Sequence, residues 1–81
     1  MTPERDQLAQ AFGRRVTAHR EAAGLRMVDL ARLAHITDAY VSMIEAGRSH
    51  PRPPIVHRLA DALGCRVSDL YADDDTVEAV S

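Results

Sequence analysis

No lysine occurs in this chain; its ten basic residues are all arginine. The arginine fork suits bidentate contact with phosphate or base edges, although a nucleotide composition favouring arginine codons accounts for the bias equally well. Cysteine is nearly absent too. The lone Cys65 cannot form an internal disulfide, which excludes the disulfide-stapled class of small domains. No apolar run approaches the roughly 20 residues that cross a bilayer, and the opening M-T-P-E-R-D lacks the basic and apolar regions of a signal peptide. A cytoplasmic protein with no membrane partner is the expectation. Signs of catalysis are missing as well: no nucleophile has a plausible base beside it, and the four histidines are scattered without ligand spacing. Cys65 fills an apolar slot between Gly64 and Val67, as a small core residue does. We therefore expect no catalytic residues, no metal, no cofactor and no small-molecule ligand.

What is present is a globular composition, 46% hydrophobic and 27% charged, in 81 residues. A chain this short has room for one core. The net charge of −2 averages two unlike parts. Residues 1–58 hold nine arginines against six acids, +3, whereas residues 59–81 hold Arg66 against six acids, −5. A basic body with an acidic end describes the chain better than its sum does.

The elements read as helices throughout. Thr2-Pro3-Glu4 is a helix start, with a hydroxyl cap, a proline where its missing N–H does no harm, and an acid in the first turn. Leu8, Phe12, Val16, His19 and Ala23 then form one stripe that Gly24 closes, so His19 lies on the apolar side, either a partly buried core histidine with a satisfied ring nitrogen or a pH-sensitive or ligand position. A second, shorter helix over 27–34 offers Val28, Leu30, Ala31 and Ala34 to the core, leaving Leu33 at the rim or against another subunit. His35 and Ile36 leave a short turn before residues 37–48, T-D-A-Y-V-S-M-I-E-A-G-R. There Thr37 is an N-cap, Val41 and Ile44 share one face, and Gly47 is a left-handed stop. The opposite face carries Asp38, Ala39, Ser42, Met43 and Ala46, all short or flexible. Such a face can lie close against another surface. Two helices joined so tightly, each apolar on one side, must cross steeply: a helix-turn-helix.

Three prolines in R-S-H-P-R-P-P force an extended excursion, from which Arg48, His50 and Arg52 project. Pro54 can open a fourth helix with Ile55, Val56, Leu59, Ala60 and Leu63 inward and Gly64 as its stop, and Ser68 caps a final short turn through Tyr71. The domain thus spans residues 1–71. Residues 72–81 read as an acidic, exposed and disordered tail, and Asp73, Asp74 and Asp75 lack the spaced carboxylates or glycine of a metal loop.

This order of elements, with the segments F-G-R-R-V-x-x-x-R, G-L-x-x-x-D-L-A, T-D-A-Y-V-S-M-I-E-A-G-R and R-L-A-D-A-L-G-C-R-V-S-D-L, resembles the Cro/repressor-like (XRE) family of helix-turn-helix transcription regulators. The resemblance covers about 60 of the 81 residues. It implies an all-α, five-helix, lambda-repressor-like DNA-binding domain whose partner is double-stranded DNA. By the same resemblance, residues 38–46 are the recognition helix, with Asp38, Ala39, Ser42 and Met43 toward base edges. Tyr40, Arg48 and Arg52 stand at phosphate-gripping positions, and Arg20 and Glu45 look like the family's ion pair between the first helix and the recognition helix. Two departures stand out. Where relatives begin the second helix with Ser or Thr and then Gln, this chain has Arg26 and Met27, giving up a polar cap for a basic residue that can meet phosphate. His35 replaces the usual turn glycine, so a left-handed backbone there must be tolerated by a residue with a side chain.

The reading face has a limited vocabulary. Ala39 and Met43 can touch thymine methyls, Ser42 can bond to either partner, and Asp38 can accept from cytosine N4 or reinforce the cap. Affinity must then lean on arginine contacts to phosphate and on DNA shape. A repressor acting as a homodimer on an inverted repeat, with half-sites about 34 Å apart or a multiple of it, is expected, with Val67, Leu70 and Tyr71 as dimer-surface residues or closers of the monomer core. The rival is a protein-interaction module that keeps the fold without strong DNA binding.

Overall fold

The computed structural model describes residues 3–71, with side chains from residue 7 on. Thr2 and the acidic stretch 72–81 lie outside the described residues. Five helices follow in order: α1 (Pro3–Ala22), α2 (Met27–Ala34), α3 (Asp38–Glu45), α4 (Pro53–Leu63) and α5 (Val67–Tyr71). α1 lies across α3 and α5, while α2 packs on α3 and α4, so every helix contributes to one core. Phe12 and Val16 of α1, Leu30, Ala31 and Ala34 of α2, Val41 and Ile44 of α3, Val56, Leu59, Ala60 and Leu63 of α4, and Leu70 of α5 are its buried members. Among the described residues no helix is long and apolar enough to cross a membrane.

Three expectations about the core need correction. Leu8 is 50% exposed, and Ala9 is buried in its place. Each four-residue step along an α-helix rotates the side chain by about 40°, so a stripe centred on Phe12 and Val16 has turned away by Leu8. Val28 is 41% exposed, because two residues of helix put it about 200° from the fully buried Leu30. Ala23 lies beyond the end of α1, where its N–H still bonds to the His19 carbonyl at 3.0 Å.

Helix starts differ from expectation in an instructive way. α4 begins at Pro53, one residue early, with both prolines in the first turn and Arg52 as its N-cap. α5 is capped from Arg66 rather than Ser68: the Arg66 N–H donates to Asp69 Oδ2 at 2.9 Å. α2 starts the same way, with the Arg26 N–H donating to Asp29 Oδ2 at 2.9 Å. In both, the acid three residues on reaches back to the cap's backbone, which is one half of a capping box. The start of α2 therefore does have a polar cap, supplied by Asp29.

Candidate nucleic-acid interface

α3 is a short helix held firmly from behind. Thr37 Oγ1 accepts the Tyr40 N–H at 3.0 Å, closing the start, and Val41 and Ile44 are wholly buried. The turn leading into it is completed by His35, the one described non-glycine residue at positive φ (61°), whose left-handed backbone lets the Ile36 N–H reach the Ala31 carbonyl at 2.9 Å. Two further contacts fix α3 against α1. Gly13 lies so close that a Cβ there would overlap the Ile44 carbonyl oxygen and stand 2.8 Å from the Glu45 carbonyl oxygen. Arg20 donates from Nε to Glu45 Oε2 at 2.7 Å and from Nη2 to Oε1 at 3.2 Å, and its Nη1 donates to the Leu25 carbonyl at 2.8 Å. One guanidinium thus ties together the end of α1, the loop into α2 and the end of α3.

With Val41 and Ile44 turned inward, Asp38, Ala39, Ser42 and Met43 are all exposed on the outer side. Asp38 Oδ1 accepts the Ala39 N–H at 3.0 Å, so the carboxylate does serve the helix start. Tyr40 is half-buried against the core. Beyond the helix, the loop over 48–52 is pinned at its middle and open at its ends. Pro51 is buried, and the His50 ring lies 4.9 Å from Phe12 and 5.6 Å from Tyr71, with Nε2 2.9 Å from the Tyr71 hydroxyl. Arg48 and Arg52 on either side are exposed.

Arg26, the N-cap of α2, is occupied by its own chain. It donates from Nε and Nη2 to the two Asp29 oxygens at 2.9 and 3.0 Å, and Arg32 Nη2 is 3.8 Å from the same carboxylate. The Arg26 side-chain and backbone hydrogen bonds pull the Asp29 carboxyl from 3.8 down to about 2. A folded-state value below the unfolded one means that this stabilisation is complete above 3.8 and is lost as pH falls toward 2. The melting-temperature gap between the native chain and Asp29→Asn is accordingly expected to narrow steadily through that interval. A gap that stays constant there would show that the ionised carboxylate contributes nothing.

Of the three expected dimer-surface residues, Leu70 is fully buried in the monomer core and has nothing to offer a partner. Val67 is half-buried, and Tyr71 remains 41% exposed although its ring packs 5.1 Å from Phe12. Sequence reasoning missed the roles of Gly13, Asp29 and His50. For Asp29 the R-x-x-D spacing was a usable signal, and it recurs at Arg66 and Asp69; for Gly13 a glycine inside a helix was a faint one.

The arrangement has close parallels among known proteins. A family model described as a helix-turn-helix domain matches residues 11–70. The restriction-modification controller protein C.AhdI from Aeromonas hydrophila superposes with a TM-score of 0.76 at 30% identity, over 78% of this chain and 96% of that one. The clp gene regulator ClgR from Corynebacterium glutamicum gives 0.80 at 25% identity, over 90% and 78%. A hypothetical transcription factor, NHTF, from Neisseria gives 0.82 over 100% and 93%, with 21% identity, a likeness of fold alone. No match is found among curated proteins. With the family model covering most of its length and transcription regulators as its structural neighbours, the chain belongs to the helix-turn-helix family and has the fold of the XRE-type DNA-binding regulators.

Proposed function

We propose that the protein is a sequence-specific transcription regulator, a repressor, that acts as a homodimer on an inverted-repeat operator with α3 in the major groove. The observation that carries this reading is the outer face of α3, where Asp38, Ala39, Ser42 and Met43 are all exposed on a helix locked from behind by Arg20 and Gly13. Those four side chains read base edges, and Arg48 and Arg52 grip phosphate from the anchored loop, with Tyr40 and the free edge of Arg26 beside them. One such face makes too few contacts for high specificity, so two copies share an operator, Val67 and Tyr71 lying at the contact between them.

Selection from random-sequence duplexes, followed by a salt titration on the product, tests this. A palindromic site and a steep loss of affinity with salt are expected; no enrichment and a flat response would sink the reading and favour the protein-interaction alternative. Arg52→Ala is expected to weaken all sequences alike and to flatten the salt slope by about one unit per protomer. Ser42→Ala and Met43→Ala are expected to change which bases are preferred, and an unchanged preference in Met43→Ala would remove it from the reading face.

A further inference from the structure

The reading face is not flat. Met27 and Val28 at the start of α2, with Asp38, Ala39 and Ser42 of α3, line an open groove of about 460 Å³. Val28 belongs to no core and lies outside the recognition helix, yet it forms a wall of this groove. The chemistry of the groove is two-sided. Met27, Val28 and Ala39 present carbon, whereas Ser42 presents a hydroxyl and Asp38 a carboxylate whose Oδ1 accepts the Ala39 N–H and whose Oδ2 has no partner among the described residues.

An unoccupied acceptor beside an apolar wall is complementary to one base edge above others. Cytosine shows an N4 amino donor in the major groove, and the C5 position, where a methyl group would sit, is its immediate neighbour on the same edge. Thymine carries that methyl but replaces the donor with the O4 acceptor, which a carboxylate repels. Unmethylated cytosine satisfies Asp38 but leaves the apolar wall facing only a C–H. We infer that this groove reads 5-methylcytosine, the methyl group lying against Val28, Met27 and Ala39 while the N4 amino group donates to Asp38 Oδ2. The inference rests on α3 entering the major groove as proposed above. It also gives Asp38 a reason to stand among phosphates: the amino donor offsets the repulsion its charge meets there.

The test uses the duplex returned by selection, with each pyrimidine of a half-site made in turn cytosine, 5-methylcytosine or thymine, and Kd read by fluorescence anisotropy at fixed salt. One position per half-site is expected to bind 5-methylcytosine about fourfold tighter than cytosine, the effect of burying one methyl group. Thymine there is expected to bind more weakly than either. Asp38→Asn, whose amide can donate to O4, is expected to invert the order and favour thymine. Val28→Ala is expected to bring the methyl ratio toward one, with its melting temperature checked to show that this exposed position leaves the fold intact. Equal affinity for cytosine and 5-methylcytosine at every position of an enriched operator overturns the methyl groove alone. A methyl preference untouched by Val28→Ala overturns its placement in this groove. Failure of selection to enrich any operator overturns it together with the regulator reading.

Discussion

Gly13→Ala is expected to destabilise the fold by about 3 kcal/mol, the upper part of the range for forcing extra volume into a packed interior. For a domain of this size that lowers the melting temperature by roughly 15 °C. Helix propensity argues the opposite way. Gly13 sits inside α1, where alanine gains up to about 1 kcal/mol over glycine, so a surface position would be stabilised by the change. The structure decides the sign, because the added Cβ meets the backbone carbonyl oxygens of Ile44 and Glu45, not flexible side-chain ends. Neither oxygen can swing aside without moving the end of α3. Gly24→Ala supplies the comparison: φ is +73° there, but nothing lies within 4 Å of the new Cβ. That change costs only the left-handed conformation, about 1 kcal/mol. Thermal denaturation followed by circular dichroism measures both. If Gly13→Ala melted within a few degrees of the native chain, the close approach of α1 to α3 would be wrong. The same change is expected to weaken operator binding beyond its effect on stability, since it displaces the helix proposed to read the operator.

The contrast between these two glycines marks where the sequence is legible. Gly24, Gly47 and Gly64 end helices and announce themselves by position next to an apolar period, as do the Thr37 cap and the proline run. Signals of that kind act within a turn of chain, and the five helices follow from them. Gly13 answers to residues more than 30 positions away, and no local rule carries that distance. The same limit explains Leu70. An apolar residue in a final short helix suits either a core or a subunit contact, and only the packing of α1 and α4 on α5 puts it inside. His50 read as a projecting loop residue because its partners, Phe12 and Tyr71, are remote in sequence. The outer face of α3, by contrast, was visible at once, since burial of Val41 and Ile44 dictates which side chains turn outward.

The Arg20 and Glu45 pair, suggested by family resemblance alone, leads to the second large effect. Glu45→Ala is expected to cost about 3 kcal/mol, because it removes the carboxylate that two guanidinium donors bind, in a place where the two side chains are only 12% and 5% exposed. With Glu45 present, its hydrogen bond raises the Arg20 pKa further; without it, arginine's intrinsic basicity still keeps the guanidinium charged, so losing the proton offers no escape. Replacing both partners with apolar residues of similar bulk, Arg20→Met with Glu45→Leu, separates two roles that the single change confounds. Removing both charges removes the uncompensated desolvation, and the double variant is expected to regain most of the lost melting temperature. Operator affinity is expected to stay at least tenfold below native, about 1.4 kcal/mol. A methionine against a leucine fills space without direction. The guanidinium meets Glu45 through two donors and the Leu25 carbonyl through a third, and that fork sets where α3 ends relative to α1. If the double variant recovered operator affinity along with melting temperature, the packing of Gly13 on α3 would be enough to aim the helix, and the ion pair would be a matter of stability alone.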